Sequence, residues 1–552
     1  MAEQMTLETR LQFTSATIVV AIIGVVAVAT IILCNGHFIY SLDDPYISLA
    51  LGWHISHGLY GLNQGEAASP SSSILYPFLL ASFAWSSWQE WIPAVVNTMA
   101  AAGTAALFAA IIFHSDIAMR PVQFGRTVFL IVVLCVAINI VGIVFTGLEH
   151  SLHALTSVAI VLGLARVLES NELPTWLVPA IVLAPLWRFE GLALAGGAAC
   201  VLLFAGQLRA GILALSMIML TIGGYIIAMR TMGLPALPSS VMIKSTLIAS
   251  SQTGSLNIGD FLGGIFTNLY QYKQSVSVLA LMLLILLHPL LRTFSAATIR
   301  GPKRLTLPRE YLFAGMLFGA LLAHVLFGSW GWFYRYEVYA VAFGTAGAII
   351  LWRGEIMALL DDGKPWLVTL VVSAALLMFN IYYVRGTIQS PLASRGIYEQ
   401  QYQMHRFATE FYNRPVAVND LGWVTYHNTN YVLDLWGLGS EAARKARLVT
   451  KEPGWMDHLA QEHHVGVALL YAPWFGDAIP HDWFRLGTLR LLHKTVSAGL
   501  GTVPGDGTVT IYSTSPAATP DALVALRRFA AAVGPGVRVD IFAPPVLKTS
   551  AQ

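Results

Sequence analysis

The sequence predicts a polytopic α-helical membrane protein that ends in a soluble α/β domain. Three observations carry this expectation. Of its 552 residues, 56% are hydrophobic and only 11% are charged, against roughly 25% charged in a soluble domain. Apolar runs long enough to cross a bilayer recur up to residue 385. From Gly386 onward the pattern changes to short strand-like and helix-like runs. The net charge of +2 gives no reason to expect nucleic acid as a partner.

Spans are expected at 14–36, 92–113, 127–146, 150–168, 211–229, 275–293, 311–328, 337–352 and 366–385. Residues 175–206 are too long for one helix and are interrupted by Trp187-Arg188-Phe189-Glu190. A central Arg and Glu are costly in hydrocarbon, so two short helices should meet at that turn. The total is about 10–11 membrane helices. Residues 72–88 are apolar but bounded by Ser, Pro and Trp, and are expected to dip into the membrane and return. The first run is too long for a signal-peptide core and reads as a signal-anchor. Cys34, Cys135 and Cys200 fall in apolar stretches and read as buried thiols outside any disulfide framework.

Basic loops set the orientation. Arg292, Arg300, Lys303, Arg304 and Arg309 mark 292–309 as cytoplasmic; Arg120 and Arg126 mark a second such loop and Arg209 a third. Helix parity then places Asp43-Asp44, Glu149-His150, Arg188, Glu190, Lys244 and Arg335 on the opposite face, together with the C-terminal domain. The expected organisation is a membrane domain over 1–385, with 37–91 as its first outer loop, and an extracytoplasmic domain over 386–552. In the latter, strands are expected at 416–419, 431–435, 465–471, 508–513 and 537–542, and helices at 394–412 and 520–533.

Asp43 and Asp44 lie just past the first span, at the start of an amphipathic helix. Two carboxylates there are expensive to place and read as functional, as a general base. The competing reading is a helix cap before Pro45. Asp44 directly precedes that proline and suits capping, whereas Asp43 has no such local duty. Lys244, after LPALPSSVMIK, and Arg335, in GSWGWFYRYEVY, are either phosphate ligands or interfacial anchors. Glu149-His150 sits in a tight inter-helix turn, and Arg188 and Glu190 in the broken helix pair; each is a local salt bridge or part of a polar cavity. His54, Glu66, Glu149, His150, Glu190 and Tyr336 are the remaining pocket candidates. His54/His57 and His150/His153 have one-face helical spacing but lack a matching carboxylate pattern. No metal ligand is therefore assigned, and a divalent ion (Mg or Mn) stays open.

The string DDPYISLALGWHISHGLYGLNQGE resembles the first outer loop of the GT-C membrane glycosyltransferases. It is most similar to the branch containing the mycobacterial terminal arabinofuranosyltransferase. TGLEHSLHAL, WRFEGLALA, PSSVMIK, FYRYEVY and VNDLGWVTYHNTNYVLDLWGL occur in that family's order. That branch usually shows Arg-Pro-Glu where this chain has Arg188-Phe189-Glu190, Pro-Asn-Thr at Pro238-Ser239-Ser240 and Thr-Asn-Pro at residues 69–71. The resemblance implies inverting transfer of a sugar (arabinofuranose or another pentose or hexose) from a polyprenyl-phosphate donor to a glycan, lipid or protein acceptor. It implies the outer face of a bacterial cytoplasmic (inner) membrane, with a periplasmic C-terminal domain and contacts to membrane lipid. Asp43 or Asp44 would be the base, and Lys244, Arg335 and Arg188 would hold the phosphate. The alternative is a transporter or flippase of lipid-linked sugars, whose signature of internal repeats is missing from the sequence.

A reporter fused after Leu305 should read cytoplasmic, and one fused after Arg395 extracytoplasmic, because the basic cluster and span parity place them on opposite sides. Both fusions reporting the same side would overturn the arrangement.

Overall fold

The computed structural model describes residues 2–117, 123–244, 258–294, 306–360, 364–493 and 507–542. The main helices of its membrane part are α1 (Ala2–Leu33), α2 (Asp44–Ser56), α3 (Tyr76–Ala81), α4 (Ile92–His114), α5 (Phe124–Ala137), α6 (His150–Ser170), α7 (Leu177–Trp187), α8 (Gly191–Phe204), α9 (Leu208–Thr231) and α10 (Ser239–Lys244). They continue with α11 (Ile258–Gln271), α12 (Ser275–Phe294), α13 (Leu307–Phe327), α14 (Val338–Leu351), α15 (Arg353–Leu360), α16 (Pro365–Phe379) and α17 (Ile381–Glu399). Among the described residues, seven helices are long and apolar enough to cross a membrane, or nine if each of two bent pairs is one span. Both pairs, α14–α15 and α16 with the helix after it, bend by 76°.

The interruption at Arg188-Phe189-Glu190 separates α7 from α8, as the polar pair in an apolar run requires. Arg188 itself is extended, with φ −154° and ψ 139°. Residues 72–88 hold only the six-residue α3, roughly 9 Å long, against a hydrocarbon core of about 30 Å. The end of the bundle away from Asp44 is tied by charges. Arg353 pairs with Glu169 at 2.5 Å, Arg292 with Glu310, and Arg126 donates to the Leu360 carbonyl at 2.8 Å. Much of the basic segment 292–309 lies outside the described residues, as does Arg120. Cys34 and Cys135 are buried, but Cys200 is exposed on α8. An apolar stretch need not be an interior one when a helix turns one side toward lipid.

Helix α17 runs through Gly386 and hands the chain to a six-stranded sheet of order β2-β1-β3-β5-β4-β6. Its strands are β1 (Val416–Val418), β2 (Val432–Asp434), β3 (Val467–Leu470), β4 (Phe484–Leu491), β5 (Thr508–Ser513) and β6 (Val537–Ile541). β1 pairs in parallel with β2 and β3; the other pairings are antiparallel. β1–β3 are buried along their whole length, as short Val/Leu-rich strands covered on both faces must be. The long strand β4 was not expected. Its run FRLGTLRL alternates weakly, and it breaks register between Arg485 and Gly487. The helical stretch expected at 394–412 is divided among the end of α17, a turn at Gln401–Arg406 and a wide-turn segment at Phe407–Tyr412. The helix α18 (Thr519–Ala532) packs against that segment and the sheet.

The segment entering α2 is pinned to the turn before α6. The Ser41 amide and hydroxyl both donate to the Phe145 carbonyl, at 2.8 and 3.0 Å. The Tyr76 hydroxyl donates to the Gly147 carbonyl at 2.9 Å. Gly147 has φ +65°, and a Cβ there would lie 2.6 Å from the Tyr40 ring and 2.8 Å from Pro45. Gly147→Ala should therefore destabilise the detergent-solubilised protein by about 1–3 kcal/mol through overpacking. A thermal melt indistinguishable from wild type would show that this contact does not fix α2.

Candidate active site

Asp43 and Asp44 are adjacent in the chain but face different partners. The Asp43 carboxylate is buried, and both its oxygens accept backbone N–H bonds from the C-terminal domain. Gly422 donates to Oδ2 at 2.6 Å and Trp423 to Oδ1 at 2.8 Å. These amides open the one-turn helix Gly422–Thr425, where backbone donors have no intrahelical acceptor. The approach is so close that a Cβ on Gly422 would fall 2.1 Å from the Asp43 carbonyl oxygen. Tyr46 packs on Trp423 with ring centroids 3.9 Å apart. The expectation that Asp43 lacks a local duty is thus reversed: it fastens the first outer loop to the C-terminal domain. Asp43 is the N-cap residue of α2 and its side chain makes no cap bond, while Asp44 is the first helical residue. Asp44 Oδ2 accepts from Arg335 Nη2 at 2.5 Å.

Arg335 is buried and follows a backbone run in the left-handed region at Gly331, Trp332, Phe333 and Tyr334, with φ of 79°, 41°, 64° and 53°. Such a run in bulky residues costs roughly 1–3 kcal/mol per residue and collects at functional sites. It turns the guanidinium inward, where Nη2 also donates to the Tyr336 hydroxyl at 2.9 Å. Among the described residues, Arg335 Nε and Nη1 have no hydrogen-bond partner. Arg188, from the helix break, donates from Nη1 to Glu149 at 2.7 Å and to Ser72 at 3.1 Å, and from Nη2 to Glu190 at 2.8 Å. Both guanidiniums lie over the Tyr336 ring, Arg335 at 4.8 Å and Arg188 at 5.3 Å from its centroid. The His150 ring lies 5.7 Å from that of Tyr336. Beneath them His153 stacks on Tyr339 at 4.1 Å, and His324 Nδ1 lies 3.2 Å from the Tyr339 hydroxyl.

The structure thus brings Asp44, Glu149, Arg188 and Arg335 to the wall of one cleft, with Glu190 and Tyr336 bonded to the two guanidiniums and His150 beside Tyr336. Only about 20 Å³ is free there, room for a water but not for a sugar. A larger, aromatic-lined groove of about 320 Å³ lies at Tyr336 and is lined by Ile243, Tyr272, Phe327, Trp330, Trp436 and Trp474 together with the polar Asn268 and Ser329. Helix α10 borders both spaces, with Ser240 on the cleft and Ile243 on the groove. The Lys244 side chain lies outside the described residues. His54 and Glu66 are placed apart from the cleft. His54 is ten residues along α2 from Asp44, about 15 Å at the helical rise. Glu66 accepts from the Tyr431 hydroxyl at 2.5 Å and from Asn63 Nδ2 at 3.3 Å.

The residues of the cleft suit an anion better than a divalent cation. Asp44, Glu149 and Glu190 are each already engaged by a guanidinium, and a dication beside two arginines would be repelled. Among the described residues no three His, Cys, Asp or Glu side chains gather as metal ligands.

Sequence reasoning missed Asp420. It lies beside Asp43 and accepts from Gln401 Nε2 at 2.8 Å and from the Tyr471 hydroxyl at 3.0 Å. The available signal was an acid in VNDLGW, placed between a strand and a tight helical turn. Burial is the main cause holding the Asp43 carboxyl well above the usual carboxylate range, and the neighbouring Asp420 adds to it. Burial likewise raises Asp420. Ser72, which bonds Arg188, was also missed.

Residues 392–512 match a family described as a domain of unknown function (DUF8728). No match is found among curated proteins. Solved structures with a remote likeness include three of an archaeal oligosaccharyltransferase. The Archaeoglobus fulgidus oligosaccharyltransferase in its apo form has a TM-score of 0.38 at 10% identity, covering 90% of this chain and 74% of that one. The archaeal oligosaccharyltransferase AglB from Archaeoglobus fulgidus with an inhibitory peptide and a dolichol-phosphate scores 0.37 at 10% identity, with the same coverage. The Archaeoglobus fulgidus oligosaccharyltransferase complex with Zn and sulfate scores 0.41 at 10% identity, covering 85% and 72%. A likeness this remote assigns no role to any residue.

The raised carboxyls of Asp43 and Asp420 make the folded state bind protons more tightly than the unfolded chain. Their contribution is therefore largest at acid pH and is lost as pH rises through the folded-state pKa values. The melting temperature should fall from pH 5 toward pH 8, and Asp420→Asn should flatten that slope. An unchanged slope in the variant would place the pH dependence elsewhere.

Proposed function

We propose that this chain is an inverting membrane glycosyltransferase that takes its sugar from a lipid-phosphate donor. One observation carries the reading. A carboxylate, Asp44, stands against a buried guanidinium with unpartnered donors, Arg335, beside an aromatic groove fit for an apolar chain. The donor's lipid occupies the groove lined by Trp330, Trp436 and Trp474. Its phosphate takes the free donors of Arg335, and Arg188 adds charge from the other side of Tyr336. Lys244, on the helix that borders both spaces, supplies a further cation.

In the resting arrangement Asp44 and Arg335 neutralise each other across the cleft. An arriving phosphate competes for Arg335, opens the cleft and frees Asp44. Asp44 then accepts the proton of the acceptor hydroxyl. That oxygen attacks the anomeric carbon from the face opposite the phosphate. The bond from the anomeric carbon to the phosphate oxygen breaks, and the lipid leaves as its phosphate monoester. No metal step is needed, and none is suited to a cleft whose acids are held by arginines. Glu149 and Glu190 hold Arg188 in place. The sugar is arabinofuranose or another pentose or hexose. The acceptor is an envelope glycan, lipid or protein at the outer face of a bacterial inner membrane, where the C-terminal domain lies.

The reading is tested by transfer of a labelled sugar from a synthetic polyprenyl-phosphate donor by the purified protein. Asp44→Asn should lower turnover by about 10²–10⁴-fold, the usual cost of removing a general base, with the melting temperature retained. Arg335→Ala should raise the donor KM roughly tenfold or more, since a charge-assisted contact contributes about 1.5–3 kcal/mol. Near-wild-type turnover in Asp44→Asn would remove the base. Movement of the lipid-linked sugar across proteoliposomes without bond formation would point to a transporter instead.

A further inference from the structure

A second cavity lies where α2 meets the C-terminal domain. It has about 340 Å³ of free volume, and the membrane part contributes Trp53, His54 and Gln64 while the sheet domain contributes His427, Thr429 and Tyr431. None of the side chains lining it is Lys, Arg, Asp or Glu. Trp53 is half-buried and offers an aromatic surface, with Tyr431 from the second domain. Gln64 and Thr429 are exposed at the rim. His54 is only 7% exposed, yet among the described residues its Nδ1 has no hydrogen-bond partner. A buried ring nitrogen left in that state is costly unless a ligand or water completes it.

We propose that this cavity binds an uncharged carbohydrate stretch of the acceptor, a subsite distinct from the Asp44 cleft. Sugars present apolar C–H faces to aromatic rings and a ring of hydroxyls to amides, hydroxyls and imidazole. The lining offers both kinds of surface and no charge to recognise a phosphate, a uronate or a peptide side-chain ion. The volume lies within the range of small-ligand sites. Burial keeps the His54 imidazole neutral, so it can both donate and accept.

The position suits an acceptor. His54 stands about 15 Å along α2 from Asp44, so a chain held here reaches the cleft with its terminal unit. Thr425, at the far end of the one-turn helix whose first amides bind Asp43, also lines the cavity. The subsite is therefore built only when the two parts of the protein are docked. Its role as an acceptor subsite rests on the glycosyltransferase reading; its binding of neutral sugars does not.

The test is retention of the detergent-solubilised full-length protein on an array of neutral, uronate-containing and phosphorylated oligosaccharides and of peptides. Selected neutral hits are then titrated by tryptophan fluorescence. The expected result is retention on neutral oligosaccharides only. Trp53→Ala should weaken binding tenfold or more. Thr429→Glu, which places a carboxylate at an exposed rim position and leaves the core untouched, should do the same. Asp44→Asn should bind as wild type does. No retention on any neutral oligosaccharide would overturn the proposal. So would equal retention of acidic glycans or peptides, or unchanged affinity in Thr429→Glu. Neutral-sugar binding in a protein that transfers no sugar would leave this subsite standing and sink the glycosyltransferase reading alone.

Discussion

The rest of the site depends on one contact, the Asp43 carboxylate held by the amides of Gly422 and Trp423. It joins a loop of the membrane part to a turn of the sheet domain, nearly 380 residues later in the chain. An isolated carboxylate in such a place would be expelled or neutralised. Here two backbone donors satisfy its oxygens and Asp420 stands close enough to share its proton. Gly422 is required by distance, since any side chain would strike Asp43. Because Asp43 and Asp44 are neighbours, fixing the first also fixes where the second can reach. The direction of Asp44 toward Arg335 is a consequence of how the domains dock.

The same contact explains why two spaces of different chemistry open from one helix. At the first turn of α2 lies a charged cleft with little free volume. Three turns later lies a neutral cavity roofed by the sheet domain. The aromatic groove on the other side meets the cleft at Tyr336, whose hydroxyl accepts from Arg335, and contains no part of α2. An aromatic groove, a charged cleft and a neutral polar cavity are thereby separated around Asp44, a separation that the proposed transfer from a lipid-borne donor would use.

The helical plan was legible because spans announce themselves. Each apolar run named from the sequence overlaps a helix, although α1 begins well before its expected start, 127–146 is interrupted after Ala137 and 366–385 is cut by a 76° bend. The Arg188-Glu190 pair marks the break between α7 and α8 through its cost in hydrocarbon. Arg188, Glu149 and Glu190 were legible for the same reason. What could not be read was which partner each charge would choose. Asp44 before Pro45 has the local pattern of a cap, and only the fold brings Arg335 to it from 291 residues away. Asp43 seemed free because its partners are backbone amides, which carry no sequence signal. Strand β4 was hidden by its bulge, and Asp420 by sitting in a turn whose burial comes from α2. His54 and Glu66 were grouped with the cleft because they share its loop, but three helical turns separate His54 from it.

Charge balance gives a reason for the number of ionisable groups here. Two arginines face three carboxylates, Asp44, Glu149 and Glu190, so the cleft carries one net negative charge before any donor arrives. A phosphodiester adds another, which a low-dielectric site tolerates poorly. In the proposed reaction a third cation would relieve this, and Lys244, whose side chain lies outside the described residues, ends the helix that gives Ser240 to the cleft and Ile243 to the groove. The proposed reaction would then keep the local charge constant, with Asp44 becoming neutral as it takes the acceptor proton and the departing phosphate gaining one negative charge. In the proposed reaction the phosphate takes Arg335 first, and the proton that Asp44 then accepts keeps that carboxyl from competing for the guanidinium as charge builds on the leaving phosphate.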